Sequence, residues 1–357
     1  MTGRVVLLTT GLARGGAETQ VVYLAGELRR RGWETSVVSL LPVEAFADEL
    51  ARAGVPVYAP GIARLAMLLH RLRPHVLHAH LFHANVLARM VRLICPVPVV
   101  ISTVHSLAES GRDKTGTRLR DLTYRLTECL GEATVCVCRA AAERHGVARV
   151  IPNGVDTALF RPDAERRAST RQALGLGAEF VWLAAGRLMW KKDYPTLLRA
   201  FGQQVGATLL VAGVGPLEDE LRALGGGARF LGPRVDVPAL MNAADGVVLS
   251  SVVEGLPMVL LEAASSGVPA VATDVGGVRE AVLDGATGYV VPPRDAEALA
   301  GALRALAALD PEARAAMGRA ARDHAVAHFD LRAVAGQWEA LYRELLERAR
   351  RRSGAWM

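Results

Sequence analysis

Short apolar runs alternate along this chain with stretches whose apolar positions recur every three to four residues, the mark of strands alternating with amphipathic helices. In the first part the runs predict strands at Val5–Thr9, Thr35–Leu41, Val55–Tyr58, Val76–His80, Val97–Ser102 and Thr134–Cys138. Helices are expected between them at Ala17–Arg31, which Gly32 ends, Ala63–Leu72 and Ala84–Leu93. A second series follows, with strands at Phe180–Ala185, Thr208–Ala212, Arg229–Leu231, Val247–Ser250 and Val268–Thr273. Its helices end near Leu224 and Ala244, one runs through Glu262, and Ala- and Arg-rich packing helices begin at Ala296, the last over Leu331–Arg352. Such alternation predicts the α/β class: mostly parallel, doubly wound sheets with a ligand crevice at the carboxyl ends of the strands. The turn-forming string I-P-N-G-V-D, Ile151 to Asp156, and the polar segment after it to about Gly177 mark a domain boundary and a hinge.

Composition agrees with two globular domains. At 357 residues, 51% hydrophobic and 22% charged, the chain is too long for one ordinary core. No apolar run approaches the roughly 20 residues of a membrane span. The N-terminus lacks a signal-peptide core, and Cys95, Cys129, Cys136 and Cys138 show no metal-ligand spacing. They read as reduced core residues of a cytoplasmic protein, with Cys136 and Cys138 on one strand face. Charge is uneven: residues 1–150 hold 19 Lys+Arg and 12 Asp+Glu, net +7, against −1 for the remainder. The basic residues are interleaved with apolar ones, as in Arg64 to Arg71 and Arg118 to Arg125. That pattern suits an anionic membrane surface or a lipid-diphosphate acceptor as well as it suits nucleic acid, and solvated helix faces as well as these together; no nucleic-acid partner is expected.

The candidate chemistry centres on Val247–Thr273, a strand, a loop carrying Glu254, a helix opening near Leu256-Pro257, and a second strand. Proline in a first helical turn gives up no needed donor, so the free N–H groups there and the helix dipole favour an anion, most often phosphate. Glu254 and Glu262, eight positions apart, can both face the crevice, and acceptor-only carboxylates suit sugar hydroxyls. Read alone, they are equally a loop charge and a solvated helix residue. Only three lysines (Lys114, Lys191, Lys192) accompany 39 arginines, and two sit in the loop G-R-L-M-W-K-K-D at a strand end. A diphosphate would be gripped there by the fork of Arg187 and the point charge of Lys192. Gly11, Gly15 and Gly16 do not have the G-x-G-x-x-G spacing, and the second strand ends without an acidic residue, which argues against a dinucleotide. His105 lies just past a strand end. His78, His80 and His83 look like a metal cluster on paper but have no carboxylate near, so structural or acceptor-side roles fit them better. No Asp-x-Asp occurs in the chain.

The stretch E-G-L-P-M-V-L-L-E-A followed by G-V-P-A-V-A-T-D-V-G-G resembles the glutamate, seven residues, glutamate signature of retaining glycosyltransferases of family 4, whose fold is GT-B. That resemblance implies two Rossmann-like domains facing a central cleft: residues 1–152 plus about 333–357 for the acceptor, and 153–332 for the nucleotide-sugar donor. It implies transfer of a sugar, with retained configuration and without metal or other cofactor, from a nucleoside diphosphate sugar, UDP by commonest usage. The acceptor would be a glycan or a lipid diphosphate, as in polysaccharide assembly at the inner face of a membrane. Gly15 and Gly16 would face the donor, His105 would lie beside the donor sugar, and Arg187 with Lys192 would bind the diphosphate. Arg234 and Val235 would receive the base, Glu254 with Gly255, Leu256 and Pro257 the sugar and phosphate, and Glu262 the ribose. Two other readings use the same nucleotide: a sugar-nucleotide epimerase of this architecture and a sensor that binds without transfer.

Overall fold

The computed structural model describes residues 3–106, 114–204 and 206–354; the first two and last three residues of the expected domains lie outside them. The chain divides into two compact units, Met1–Gly154 with Leu331–Met357, and Val155–Asp330. Each is built on a six-stranded sheet whose strands pair in parallel.

In the first unit the strands are β1 (Arg4–Thr9), β2 (Glu34–Ser39), β3 (Val57–Tyr58), β4 (Val76–His80), β5 (Val99–Val104) and β6 (Ala133–Cys136), in the order β3-β2-β1-β4-β5-β6. The order reverses between β1 and β4, which are in register with Thr9 beside His80. One face packs on the helix Gly16–Arg30 and the terminal helix Leu331–Gly354, which inserts Trp338, Leu341, Tyr342 and Leu345 among Val5, Leu7, Val76, Val99 and Ile101. Trp33 meets the Tyr342 ring edge-on, at 5.6 Å. Across the sheet, Leu65, Leu69, Ala84 and Ala88 cover Val6, Leu8, Leu77 and Ala79. Successive residues of β4 therefore serve opposite cores, as the two-residue period of a strand demands. Both faces being covered explains why these strands read as apolar runs rather than strict alternation.

The second unit repeats the plan with β7 (Phe180–Ala185), β8 (Ala207–Ala212), β9 (Ala228–Gly232), β10 (Gly246–Leu249), β11 (Ala270–Thr273) and β12 (Gly288–Val291), in the order β12-β11-β10-β7-β8-β9. Its reversal falls between β10 and β7. Gly246 must be a glycine because a Cβ there would stand 2.6 Å from the ring of the fully buried Trp182 on β7. The edge strand β12, only four residues, is one that the apolar pattern does not single out.

Several expected boundaries shift. The sixth strand stops at Cys136, and Cys138 is the N-cap of the helix Arg139–His145, so the two cysteines do not share a strand face. Cys129 is exposed rather than in a core. The helix after Glu254 begins at Met258 with Pro257 as its N-cap, one position later than a proline in the first turn. No helix among the described residues is long and apolar enough to cross a membrane.

Candidate functional site

The switch point of the second unit assembles the charged residues singled out from the sequence. Arg187 and Lys192 lie in the loop leaving β7, and Glu254 in the loop leaving the neighbouring β10. The two loops are fastened together. Ser250 Oγ donates to the Lys192 carbonyl at 2.7 Å, and the Val252 N–H to the Lys191 carbonyl at 2.8 Å. Lys192 Nζ donates to Glu254 Oε1 at 2.6 Å, and Ser251 Oγ reaches the same oxygen at 2.6 Å. The ion pair is mostly shielded, with 20% of the lysine and 14% of the glutamate side chain exposed. Arg187 is exposed, and its guanidinium has no partner among the described residues. Cation and carboxylate are thus partners in this state, whereas the sequence treated them as separate contacts.

Further residues hold this arrangement. Tyr194 begins the helix Tyr194–Phe201; its buried hydroxyl donates to the Gly186 carbonyl at 3.2 Å, just before Arg187. Burial, and then the negative Glu254, keep that phenol well above its usual range. Thr273 Oγ1 donates to the Ser251 carbonyl at 2.5 Å. The loop Asp274–Gly277 backs onto Glu254: Gly277 N–H donates to the Gly255 carbonyl at 2.7 Å. Gly276 has φ +57, and a Cβ on it would fall 2.3 Å from the Glu254 carbonyl oxygen, so only glycine fits this approach. Ser251, Tyr194 and Thr273 are not among the contacts expected from the sequence. Their signal is indirect: Tyr194 follows Asp193 at a helix start, and Thr273 precedes Asp274 at the end of β11.

Gly255, Leu256 and Pro257 are buried, and behind them starts the helix Met258–Ser265. The amide N–H groups of Met258 and Val259, in its first turn, have no acceptor among the described residues, as geometry requires at a helix start. Glu262 is on this helix. It retains some exposure, yet protein atoms crowd it, and burial pushes its carboxyl up to about 7. Its carboxylate has no hydrogen bond or ion pair among the described residues. A carboxyl in that condition can take donors from a ligand, and these would favour its charged form. Arg234 lies after β9, two strands from the switch point. It is tied to Asp236 by two bonds, 2.8 and 2.5 Å, while Val235 is 74% exposed.

In the first unit, Gly15 is the N-cap and Gly16 the first residue of the helix Gly16–Arg30, Gly16 being exposed. Gly15 has extended backbone, which any residue could adopt, so no dihedral constraint explains a glycine there. His105 follows β5 and turns inward. Its Nε2 pairs with His80 Nδ1 at 3.0 Å, and its Nδ1 is buried without a partner. Burial lowers its pKa to about 4, so the ring is neutral near pH 7. The His80 ring lies 4.1 Å from that of His78, tilted 38° to it, and the His78 nitrogens pair with Tyr342 Oη and Thr103 Oγ1, each at 2.6 Å. Both are held well below the usual range, by burial first and by neighbouring histidines second. This is a buried, uncharged array; among the described residues no group of three or more His, Cys, Asp or Glu could hold a metal ion.

With this geometry in hand, the relatives are informative. The family described as Glycosyltransferase Family 4 matches residues 14–159, and that described as Glycosyl transferases group 1 matches residues 179–308. The glycogen synthase of Mycobacterium tuberculosis is 33% identical over 324 residues, covering 84% of this chain and 74% of that protein. The D-inositol 3-phosphate glycosyltransferase of Corynebacterium diphtheriae is 28% identical over 385 residues, covering 92% and 89%. Among solved structures, Anabaena HepE in complex with UDP and glucose superposes with a TM-score of 0.85 at 23% identity, over 96% of this chain and 100% of that one. Sucrose-phosphate synthase of Thermosynechococcus elongatus gives a TM-score of 0.81 at 22% identity, over 97% and 99%. The chain belongs to the family 4 type of glycosyltransferases, enzymes with two Rossmann-like domains of the GT-B fold.

Proposed function

We propose that this glycosyltransferase moves a sugar from a nucleoside diphosphate sugar, with UDP as the nucleotide, to a glycan or lipid-linked acceptor, with retained configuration and without a metal ion. The observation that carries this reading is the switch point between β7 and β10, where the loop carrying Arg187 and Lys192 is joined by the Lys192–Glu254 pair to the loop that leads into the helix Met258–Ser265. Departure of a nucleoside diphosphate places negative charge on the leaving group. Fixed positive groups lower the barrier when they hold that charge more strongly in the transition state than before it. Arg187, free and exposed, supplies two parallel N–H bonds, Lys192 a point charge, and Met258 and Val259 amide donors. These groups do the work that a divalent ion would otherwise do. Glu254 keeps Oε2 clear for a sugar hydroxyl because Oε1 is already bonded twice. Glu262 accepts the ribose hydroxyls. Gly15 and Gly16 take the donor side of the first unit, and Arg234 and Val235 the base. His105 acts through its backbone or after its ring rotates, since both ring nitrogens point inward as it stands.

For retention, attack on the same face as departure, without a covalent enzyme intermediate, suits a site where Glu254 is already engaged by Lys192 and Ser251. Two similar proteins bear on the donor: HepE was crystallised with UDP-glucose, and an Escherichia coli enzyme, 26% identical, is a UDP-galactose transferase acting on a diphosphoundecaprenol-linked sugar. An anionic lipid surface is the proposed setting for the first unit. The helix Lys114–Thr127 exposes Leu119, Leu122 and Leu126 beside Arg125, and Leu93 and Ile94 are also exposed. Leucines at that spacing line one side of a helix, and the +7 excess lies in the same half of the chain. Cosedimentation with anionic but not zwitterionic vesicles tests this, and equal binding to both rejects it. Acceptor-dependent release of UDP in the presence of EDTA tests the transfer. Release that needs no acceptor points to hydrolysis or epimerisation, and release that needs magnesium contradicts the metal-free reading.

A further inference from the structure

Resting on the donor site just described, we propose that Glu254 also competes with the leaving nucleotide for Lys192, so that the site holds an intact sugar nucleotide but weakens its grip on the spent nucleoside diphosphate. Both partners of the 2.6 Å ion pair are fixed from behind. The Lys192 carbonyl is taken by Ser250 Oγ at 2.7 Å, and the Lys191 carbonyl by Val252 N–H at 2.8 Å. On the other side, Ser251 Oγ holds Glu254 Oε1 at 2.6 Å, Thr273 Oγ1 holds the Ser251 carbonyl, and Gly276 closes on the Glu254 backbone. Glu254 therefore cannot swing far from Lys192 without breaking its own loop. Any diphosphate that reaches Lys192 must share that ammonium with a fixed carboxylate, and the two anions repel across a partly shielded site.

The repulsion is offset only by a ligand that brings donors to Glu254. A sugar attached to the β-phosphate does so, because its hydroxyls can donate to the unoccupied Oε2. Once the sugar has gone, the nucleoside diphosphate carries more negative charge and no donor for Oε2. Glu254 then reclaims Lys192, and the balance shifts toward release. The same carboxylate thus favours the substrate and opposes the product.

The experiment is calorimetric titration of UDP, with GDP, ADP and dTDP in parallel, into the full chain and its variants in EDTA at low and high salt. Glu254→Gln should bind the nucleoside diphosphate roughly ten-fold more tightly than the wild type, and the gain should shrink as salt rises. Glu254→Ala, which removes the charge by truncation, should show the same gain, while Glu254→Asp, which keeps it, should not. In a Lys192→Ala background the gain from Glu254→Gln should fall below about two-fold, since the contested cation is gone. Melting curves establish that each variant is folded. Equal or weaker UDP binding by both folded neutral variants overturns the proposal while leaving the donor site intact. Failure of the wild type to bind any of the four nucleotides overturns the donor site itself, and the proposal with it.

Discussion

The Glu262 carboxyl, pushed up to about 7 from an ordinary 4.5, makes stability and nucleotide affinity depend on pH in a way that one substitution removes. Its folded pKa lies above its unfolded one. Below about 4.5 the group is protonated in both states and costs nothing. Between 4.5 and 7 the unfolded chain gives up the proton while the folded chain keeps it, so stability is lost as pH rises through that window. A shift of this size corresponds to about 3 kcal/mol, and residual solvent access reduces it to roughly 2–3 kcal/mol. Glu262→Gln should therefore stabilise the second unit by that amount at pH 8, about 5–10 °C in melting temperature for a domain of this size, and by nothing near pH 4. A nucleotide whose ribose hydroxyls donate to the carboxylate favours its charged form, so wild-type affinity should rise about ten-fold from pH 6 to pH 8 relative to the variant. Thermal melts and UDP titrations at pH 5, 6, 7 and 8 on both proteins measure this. A wild-type-to-variant difference that does not change with pH refutes the reasoning, because it leaves nothing to link Glu262 to a proton.

Other consequences follow from the same geometry. Arg187→Ala or Lys192→Ala should each lower turnover roughly 10²- to 10³-fold, the usual cost of losing one fixed charge-stabilising donor, with melting temperature little changed for Arg187→Ala and lowered for Lys192→Ala, which strands the shielded Glu254 carboxylate; near-normal turnover in both removes the diphosphate assignment. Gly276→Ala meets both a left-handed backbone and the Glu254 carbonyl, so it should cost about 2 kcal/mol or more and depress activity beyond the loss of folded protein, as a steady-state assay on the folded fraction would show. Because burial depresses His105 to about 4, the wild type should lose up to about 3 kcal/mol relative to His105→Gln as pH falls from 6.5 toward 4, seen by denaturation of the first unit. Trp338→Ala opens the core under the terminal helix and should cost about 3–5 kcal/mol by the same measurement.

The fold was legible because each unit buries its sheet on both faces, so strands such as Val76–His80 and Gly246–Leu249 stand out as apolar runs between periodic helices. Where burial is thin the pattern fails. The strand Gly288–Val291 is four residues with two half-buried positions, too short to distinguish from a loop. Boundaries slipped where a local cap outweighs hydrophobicity, as at Cys138 and Pro257. The charged residues around the second switch point were visible as types: two of three lysines in one loop, and two glutamates across a helix start. Their pairing was not. Nothing in the spacing of Lys192 and Glu254, 62 positions apart, says that their loops are stitched by Ser250 and Val252. The inward turn of His105 toward His80 was hidden for a like reason, since it depends on the β4 and β5 register, His80 beside Thr103.

The proposed reaction requires a metal-free nucleotide site at the carboxyl ends of β7 and β10, and titration of UDP in EDTA into wild type, Arg187→Ala and Lys192→Ala tests it most directly. It predicts saturable binding by the wild type, unchanged on adding magnesium, and at least ten-fold weaker binding by each variant. Binding that appears only with magnesium, or that both variants retain in full, would contradict it.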